Sequence, residues 1–196
     1  VAVWRGREGG GQPVAYWIIL STTNSVKTVP FGIEGDRAFV DDYDGDGKAD
    51  LAIWRLTDHV NEAAWFLIKQ STDNFSRAEQ WGNHSDRPVP ADYHGDGKTD
   101  LAIYRGGTWW ILNSADTSVR VTQFGLSQDK TLAADYDGDG KADLAVYRSG
   151  VWYVLRSTQE FYAVQFGISS DIPVVADYDG HAKADFVAYR DGVWWM

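Results

Sequence analysis

The sequence predicts an all-β chain, a β-propeller or propeller fragment made of four to five repeats of four-stranded blades. Three observations carry this expectation. A 14-residue block recurs as DYDGDGKADLAIWR at 42–55, DYHGDGKTDLAIYR at 92–105, DYDGDGKADLAVYR at 135–148 and DYDGHAKADFVAYR at 177–190. The spacing on one side of that block never changes. The runs between blocks are short, rich in Val, Ile, Tyr and Trp, and bounded by Gly, Asp and Ser clusters, the pattern of strands and turns. No window keeps a helical apolar period.

The fixed spacing begins at an aromatic–glycine marker: Phe31-Gly32, Trp81-Gly82, Phe124-Gly125 and Phe166-Gly167. From each glycine to the first loop Asp is 10 residues, and from that Asp to the terminal Arg is 13, in all four copies. A Trp-led apolar stretch follows, at Trp17, Trp65, Trp109, Trp152 and Trp194. A partial fifth copy, VAVWR, opens the chain. Units at about 1–32, 33–82, 83–125, 126–167 and 168–196 then read as one repeat domain with three, four, four, four and three strands. Units of about 40–45 residues with four strands have the size of propeller blades. The first unit lacks its inner strand and the last its outer one, and such open edges invite self-association. The distance from Arg to the next Trp is 12 residues in the first unit, 10 in the second and 4 in the last three. The surplus, residues 6–16 and 56–64, reads as insertions on one face, where repeat arrays place binding loops.

Composition narrows the function classes. The 196 residues are 44% hydrophobic and 23% charged, ordinary for a globular protein, with 10 Trp, 10 Tyr and 8 Phe. There is no Cys, hence no disulfide or thiolate metal site. No apolar run is long enough to span a membrane. The net charge of −10 argues against a nucleic-acid partner, which needs clustered cations. The chain begins at Val1 inside a repeat, which reads as a processed or excised piece.

The acidity has a local source. In the first loop Asp42, Asp44, Asp46 and Asp50 occupy positions 1, 3, 5 and 9. Alternating carboxylates can converge on one ion as the loop curls, Gly47 at position 6 permits the sharp turn, and the Lys48 carbonyl at position 7 can add an oxygen. Hard oxygen donors favour Ca²⁺ over zinc or copper. The third loop is equally complete, with Asp135, Asp137, Asp139 and Asp143. The second keeps Asp92, Asp96 and Asp100 but has His94 at position 3. The fourth keeps Asp177, Asp179 and Asp185 but has His181 at position 5 and Ala182 in place of Gly. Two strong Ca²⁺ sites and two weaker ones are expected. Position 12 holds Ile53, Ile103, Val146 or Ala188 rather than Glu, and a strand follows, so this is not an EF-hand.

With these residues in view, the sequence resembles the FG-GAP and VCBS repeat families, whose best-known relative is the integrin α-subunit head. The resemblance implies a β-propeller with a Ca²⁺ loop between the first and second strands of each blade. It implies the ligands above, with Lys48, Lys98, Lys141 and Lys183 contributing carbonyls. It also implies an extracellular or cell-surface setting and roles in adhesion, carbohydrate recognition or as accessory modules of secreted enzymes.

Other recurring residues read more plainly. The doublets Trp109-Trp110 and Trp194-Trp195 offer rings for stacking on a sugar, against the alternative that repeat aromatics fill the core. One ring of each doublet is expected to be the more exposed, because adjacent strand residues face opposite ways. The Arg ending each second strand (Arg5, Arg55, Arg105, Arg148, Arg190) reads as a structural pair or cap. Asp36, Asp86, Asp129 and Asp171 read as turn residues. No GxSxG, HExxH or phosphate-binding glycine loop is present, so the chain reads as no enzyme. The leading expectation is a secreted or cell-surface calcium-binding module that recognises a glycan or surface protein. The alternatives are a self-assembling repeat protein and a propeller-type polysaccharide lyase.

Overall fold

The computed structural model describes residues 2–6, 14–20, 25–57, 63–73 and 75–196. Most of both expected insertions, 7–13 and 58–62, lies outside the described residues. Among the described residues all regular elements are strands, arranged as antiparallel meanders with the geometry of propeller blades. The first sheet holds β1 (Ala2–Gly6), β2 (Val14–Leu20) and β3 (Val26–Ile33). The second holds β4 (Arg37–Asp41), β5 (Asp50–Leu56), β6 (Ala63–Lys69) and β7 (Ser76–Asn83). The third holds β8 (Arg87–Pro88), β9 (Leu101–Arg105), β10 (Thr108–Leu112) and β11 (Val119–Gln123). The fourth holds β12 (Lys130–Thr131), β13 (Leu144–Arg148), β14 (Val151–Leu155) and β15 (Phe161–Gln165). The fifth holds β16 (Ile172–Ala176), β17 (Asp185–Arg190) and β18 (Val193–Trp195). Among the described residues the strand tally of three, four, four, four and three matches the sequence expectation. The chain divides into two compact units, Val1–His84 and Ser85–Met196.

In the second to fifth sheets the second strand is the most buried. In β5 the residues from Asp50 to Trp54 are all buried, and Leu101 to Tyr104 and Leu144 to Tyr147 follow suit in β9 and β13. The third strands alternate: Phe66 and Ile68, Trp109 and Ile111, Trp152 and Val154 point inward. The outer strands β7, β11 and β15 are the most solvated of their sheets; β7 is largely polar, whereas β11 and β15 leave Val119, Val121 and Phe161 exposed. The innermost strands of the third and fourth sheets are only two residues long. Backbone bonds nevertheless continue the ladder, from Val89 N–H to Ala102 C=O and from Leu132 N–H to Ala145 C=O.

A repeated aromatic pair organises the core. Tyr104 meets Trp109 edge-on at 5.2 Å between centroids and Tyr147 meets Trp152 edge-on at 5.3 Å, while in the fifth sheet Tyr189 meets the half-exposed Trp194 tilted, at 5.1 Å. The indole N–H of Trp109 donates to the Phe124 carbonyl and that of Trp152 to the Phe166 carbonyl. The aromatic–glycine marker is therefore the acceptor for a buried indole. Its glycine is required as well. Gly167 has φ of 115°, and a Cβ there would lie 2.5 Å from the Tyr147 hydroxyl.

The second sheet swaps the pair. Trp54 on β5 takes the tyrosine position, donates to the Trp81 carbonyl at 3.2 Å, and faces Phe66 across the ladder. Phe66 is fully buried, while Trp65 is only partly so. The Trp-led alignment of the sequence is thus out of register by one residue in this unit, where Phe66 fills the core position. Since strand side chains alternate, a one-residue shift places Trp65 on the other face.

The Arg and Asp that the sequence treats separately form one device. Arg55 grips Asp36 through Nε and Nη2 at 2.9 and 2.8 Å. Arg105 grips Asp86, Arg148 grips Asp129 and Arg190 grips Asp171 in the same bidentate way. The four carboxylates are buried, and those of Asp36, Asp129 and Asp171 also accept the backbone N–H three residues earlier. Each fork ties the loop that enters a sheet to the end of its second strand. Such charge-assisted, two-pronged bonds are stronger and more directional than neutral ones. Arg190 holds the Asp171 carboxyl below the usual carboxylate range.

Candidate metal centre

The four acidic loops lie where the first strand of a sheet turns into the second, at 42–49 before β5, 92–99 before β9, 135–142 before β13 and 177–184 before β17. Each has the same internal wiring. The position-1 carboxylate accepts at least two backbone N–H groups, Asp135 most closely from Gly138 at 2.6 Å and Gly140 at 2.8 Å. This folds the loop back on its first residue. Gly47, Gly97 and Gly140 adopt φ near 80° to complete the curl. Ala182 takes φ of 60° at the same point of the fourth loop, and its N–H still reaches Asp177.

That alanine carries a strain the glycines avoid, since its Cβ crowds a carbonyl in the left-handed region. Ala182→Gly is expected to stabilise the protein by about 1 kcal/mol, net of glycine's extra freedom when unfolded. A shifted midpoint in urea unfolding reads this out, and an unshifted or lowered midpoint contradicts it.

Position 9 anchors the loop to the sheet. Asp50 accepts the N–H groups of Tyr43 and Ser71, Asp100 those of Tyr93 and Ser114, and Asp143 those of Tyr136 and Ser157. Ser71, Ser114 and Ser157 begin the turns after the third strands, so in the second, third and fourth sheets two turns meet at one carboxylate. These serines carry no motif of their own in the sequence. Their recurrence just after each third strand was the available signal.

Ligand atoms converge in all four loops. Asp42, Asp44 and Asp50 place three oxygens within 4.8 Å of one another, as do Asp135, Asp137 and Asp143, and Asp177, Asp179 and Asp185. In the second loop the group is Asp92, His94 and Asp96. Oxygens so spaced fit around one ion at 2.3–2.6 Å, a distance typical of calcium. The four clusters could each hold a divalent ion.

The remaining expected ligands are placed differently. Asp46 bonds the Lys48 ammonium at 2.9 Å and the Thr72 hydroxyl at 3.0 Å, and Asp139 bonds the Ser157 hydroxyl. Asp100 stays outside the second cluster, bonded to His94 Nδ1 at 2.9 Å, while His94 Nε2 lies 3.0 Å from Asp96. Burial would lower the His94 pKa, but these two carboxylates outweigh it and raise it. His181 is turned to solvent against Asp179 at 2.6 Å, outside the fourth cluster. The side chains of Lys141 and Lys183 lie over Gly95 and Gly138 of the preceding loops. Successive loops of the second unit are also joined by backbone bonds, Ala142 N–H to Asp92 C=O and Ala184 N–H to Asp135 C=O, both 2.7 Å.

Burial pushes the Asp143 carboxyl up to about 6, helped by Asp137 and Asp135 and opposed by the Ser157 and Tyr136 N–H groups. In the ion-free protein, protonating this group is stabilising below the ordinary carboxylate pKa, and that contribution is gone above about pH 6. Ion binding runs the other way, because a cation needs the carboxylate. Affinity at the third loop is expected to fall about tenfold between pH 7 and pH 5. Calorimetric titrations at the two pH values measure this, and equal affinities contradict it.

The tryptophan doublets divide unequally. Trp109 is wholly buried, so its ring has no face for a sugar, and it belongs to the core. Trp110 is partly buried beneath Arg105, 5.9 Å from its ring centre. Trp194 and Trp195 are both about half exposed, at 51% and 49%, contrary to the expectation that one ring of the doublet would be the more exposed. The reason is that β18 is an edge strand of a three-stranded sheet, so neither ring is covered by a fourth strand.

Fold and loops together define a class: a tandem-repeat β protein of propeller blades in which four of the second strands are entered through an acidic loop that could hold a divalent ion. Comparison sharpens this. An FG-GAP-like repeat is present at residues 42–103, which span two of the loops. No curated protein matches the chain. Among solved structures, the chain is similar to a lectin of Agrocybe aegerita, described for its specific recognition of non-reducing terminal N-acetylglucosamine. The TM-score is 0.55 at 15% identity, over 98% of this chain and 77% of that one. At that identity the likeness is one of fold. Among the described residues no helix is long and apolar enough to cross a membrane.

Proposed function

We propose that the protein is a calcium-braced, secreted or cell-surface repeat module that recognises a glycan, free or carried on a surface protein. The observation that carries the calcium part is the four-fold recurrence of converging ligand atoms at one place in the blade. Carboxylate oxygens suit Ca²⁺, which tolerates irregular shells, better than Mg²⁺, which demands a near-ideal octahedron. The carbonyls of Lys48, Lys98, Lys141 and Lys183 would complete the shells. Extracellular modules bind Ca²⁺ weakly and rely on its abundance there. The ion would supply no chemistry. It would offset the mutual repulsion of the loop carboxylates and, in the second, third and fourth sheets, hold two turns together.

Support for the glycan part is the fold shared with the Agrocybe aegerita lectin. The test is calorimetric titration with the methyl glycosides of N-acetylglucosamine, galactose and glucose, with calcium and with chelator. Saturable binding of at least one, weakened by chelator, is expected. Binding of none refutes the glycan reading and leaves the calcium reading standing.

A further inference from the structure

The second unit repeats an inter-sheet gap, and the two copies differ. Between the third and fourth sheets, Arg87 at the start of β8 crosses the gap. Its Nη1 donates to the Asp129 carbonyl at 2.5 Å, its Nη2 donates to the Ser127 carbonyl, and its guanidinium stacks over Tyr104 at 5.2 Å. Between the fourth and fifth sheets the corresponding residue is Lys130. It reaches only one of the two matching carbonyls, Asp171 at 2.7 Å, and leaves Ser169 unspanned. A groove of about 260 Å³ opens there, lined among others by Gln128, Lys130, Arg148, Ser149, Ser169 and Leu126.

A second difference falls on the rim of the same groove. In the third sheet the residue after the fork arginine is Gly106, with φ of 57°. In the fourth it is Ser149, with φ of 51°, a left-handed conformation that a serine adopts at a cost and glycine does not. The fold does not need a side chain there, as Gly106 demonstrates. Asp191 takes φ of 50° at the same point of the fifth sheet, so the conformation belongs to the repeated turn, and what sets Ser149 apart from Gly106 is the hydroxyl it places on the rim of the groove.

From these two differences we infer that the groove between the fourth and fifth sheets is a saccharide site sized for one sugar ring. This rests on the glycan reading above and names the place. The chemistry suits a polyhydroxylated, uncharged ligand. Lys130 has donors to spare beyond Asp171, Arg148 keeps Nη1 outside its fork, Ser149 and Gln128 donate and accept, and the Ser169 carbonyl accepts. Asp129 and Asp171 offset the nearby cations. Leu126, half exposed, offers an apolar surface to the C–H face of the ring. A few convergent polar groups beside an apolar patch is the usual make-up of a small-molecule site.

The test uses two substitutions that import what the neighbouring gap already contains. Lys130→Arg should close the groove by spanning Ser169 and Asp171 as Arg87 spans Ser127 and Asp129. Ser149→Gly should remove the rim hydroxyl while relieving strain. Both should keep the wild-type far-ultraviolet circular dichroism and melt no lower than wild type. With the methyl glycoside that the wild type binds best, Lys130→Arg should weaken affinity at least tenfold and Ser149→Gly several-fold. Amide resonances of Lys130, Ser149 and Ser169 should shift on adding that glycoside to the wild type. Unchanged affinity in folded Lys130→Arg, or shifts confined elsewhere, overturns the assignment of this groove but not the glycan reading. If the wild type binds none of the three, both fail.

Discussion

Asp129→Ala is expected to cost about 2–4 kcal/mol of stability. Asp129 is buried and accepts three bonds, Nε and Nη2 of Arg148 at 2.6 Å each and the Leu126 N–H at 2.8 Å. Removing one partner of a fully buried pair costs about 3–5 kcal/mol, mostly from the charge left behind. Here the Arg148 side chain is 36% exposed and can take up water, which moderates the loss. Replacing both partners by apolar residues of similar size, Asp129→Leu with Arg148→Met, should recover much of it, because no unpaired charge then remains. Urea unfolding of the single and double variants reads both effects. A loss below about 1 kcal/mol in Asp129→Ala would mean the fork is a surface ornament, the usual fate of exposed ion pairs.

The second large effect separates two adjacent rings. Phe66→Ala should cost about 3–5 kcal/mol, the range for emptying a buried aromatic site. Trp65→Ala should cost much less, about 1 kcal/mol, because its ring is only partly buried. The reverse ranking would place Trp65 in the core and undo the register described for β6. The same comparison tests the exchange of roles in this sheet, where Trp54 rather than the third-strand ring sends its indole N–H to the aromatic–glycine marker.

Much of this fold was legible in the sequence because the repeat reports on itself. Fixed distances from marker glycine to loop Asp to Arg imply a fixed backbone path, and the strands and loops lie along it. The loop carboxylates were readable for the same reason: their alternation has no purpose without convergence. What escaped is what spacing alone does not encode. The fork was hidden in a constant, since Asp and Arg lie 19 residues apart in every copy, yet each residue had an adequate explanation by itself. The register of β6 escaped because an insertion precedes it, and counting from Arg55 to the nearest Trp landed one residue early. The exposure of Trp194 and Trp195 depended on strand β18 standing at a sheet edge, a tertiary fact. His94 reads from the sequence as a weaker ligand, and the structure adds that its two ring nitrogens lie 3.0 Å from Asp96 and 2.9 Å from Asp100. The opening beside Lys130 became visible only by setting it against Arg87 in the folded repeat.

Calcium-dependent melting tests the central claim most directly. An ion held about tenfold above its dissociation constant adds about 1.4 kcal/mol per site. The two complete loops, at Asp42–Asp50 and Asp135–Asp143, would then contribute nearly 3 kcal/mol together. For a chain of this length that corresponds to a rise of roughly 6–11 °C in melting temperature. Scanning calorimetry in millimolar calcium should show that rise over the chelator-treated protein, and equimolar magnesium should reproduce little of it. Identical melting temperatures with calcium and with chelator would contradict the account that these loops are calcium braces.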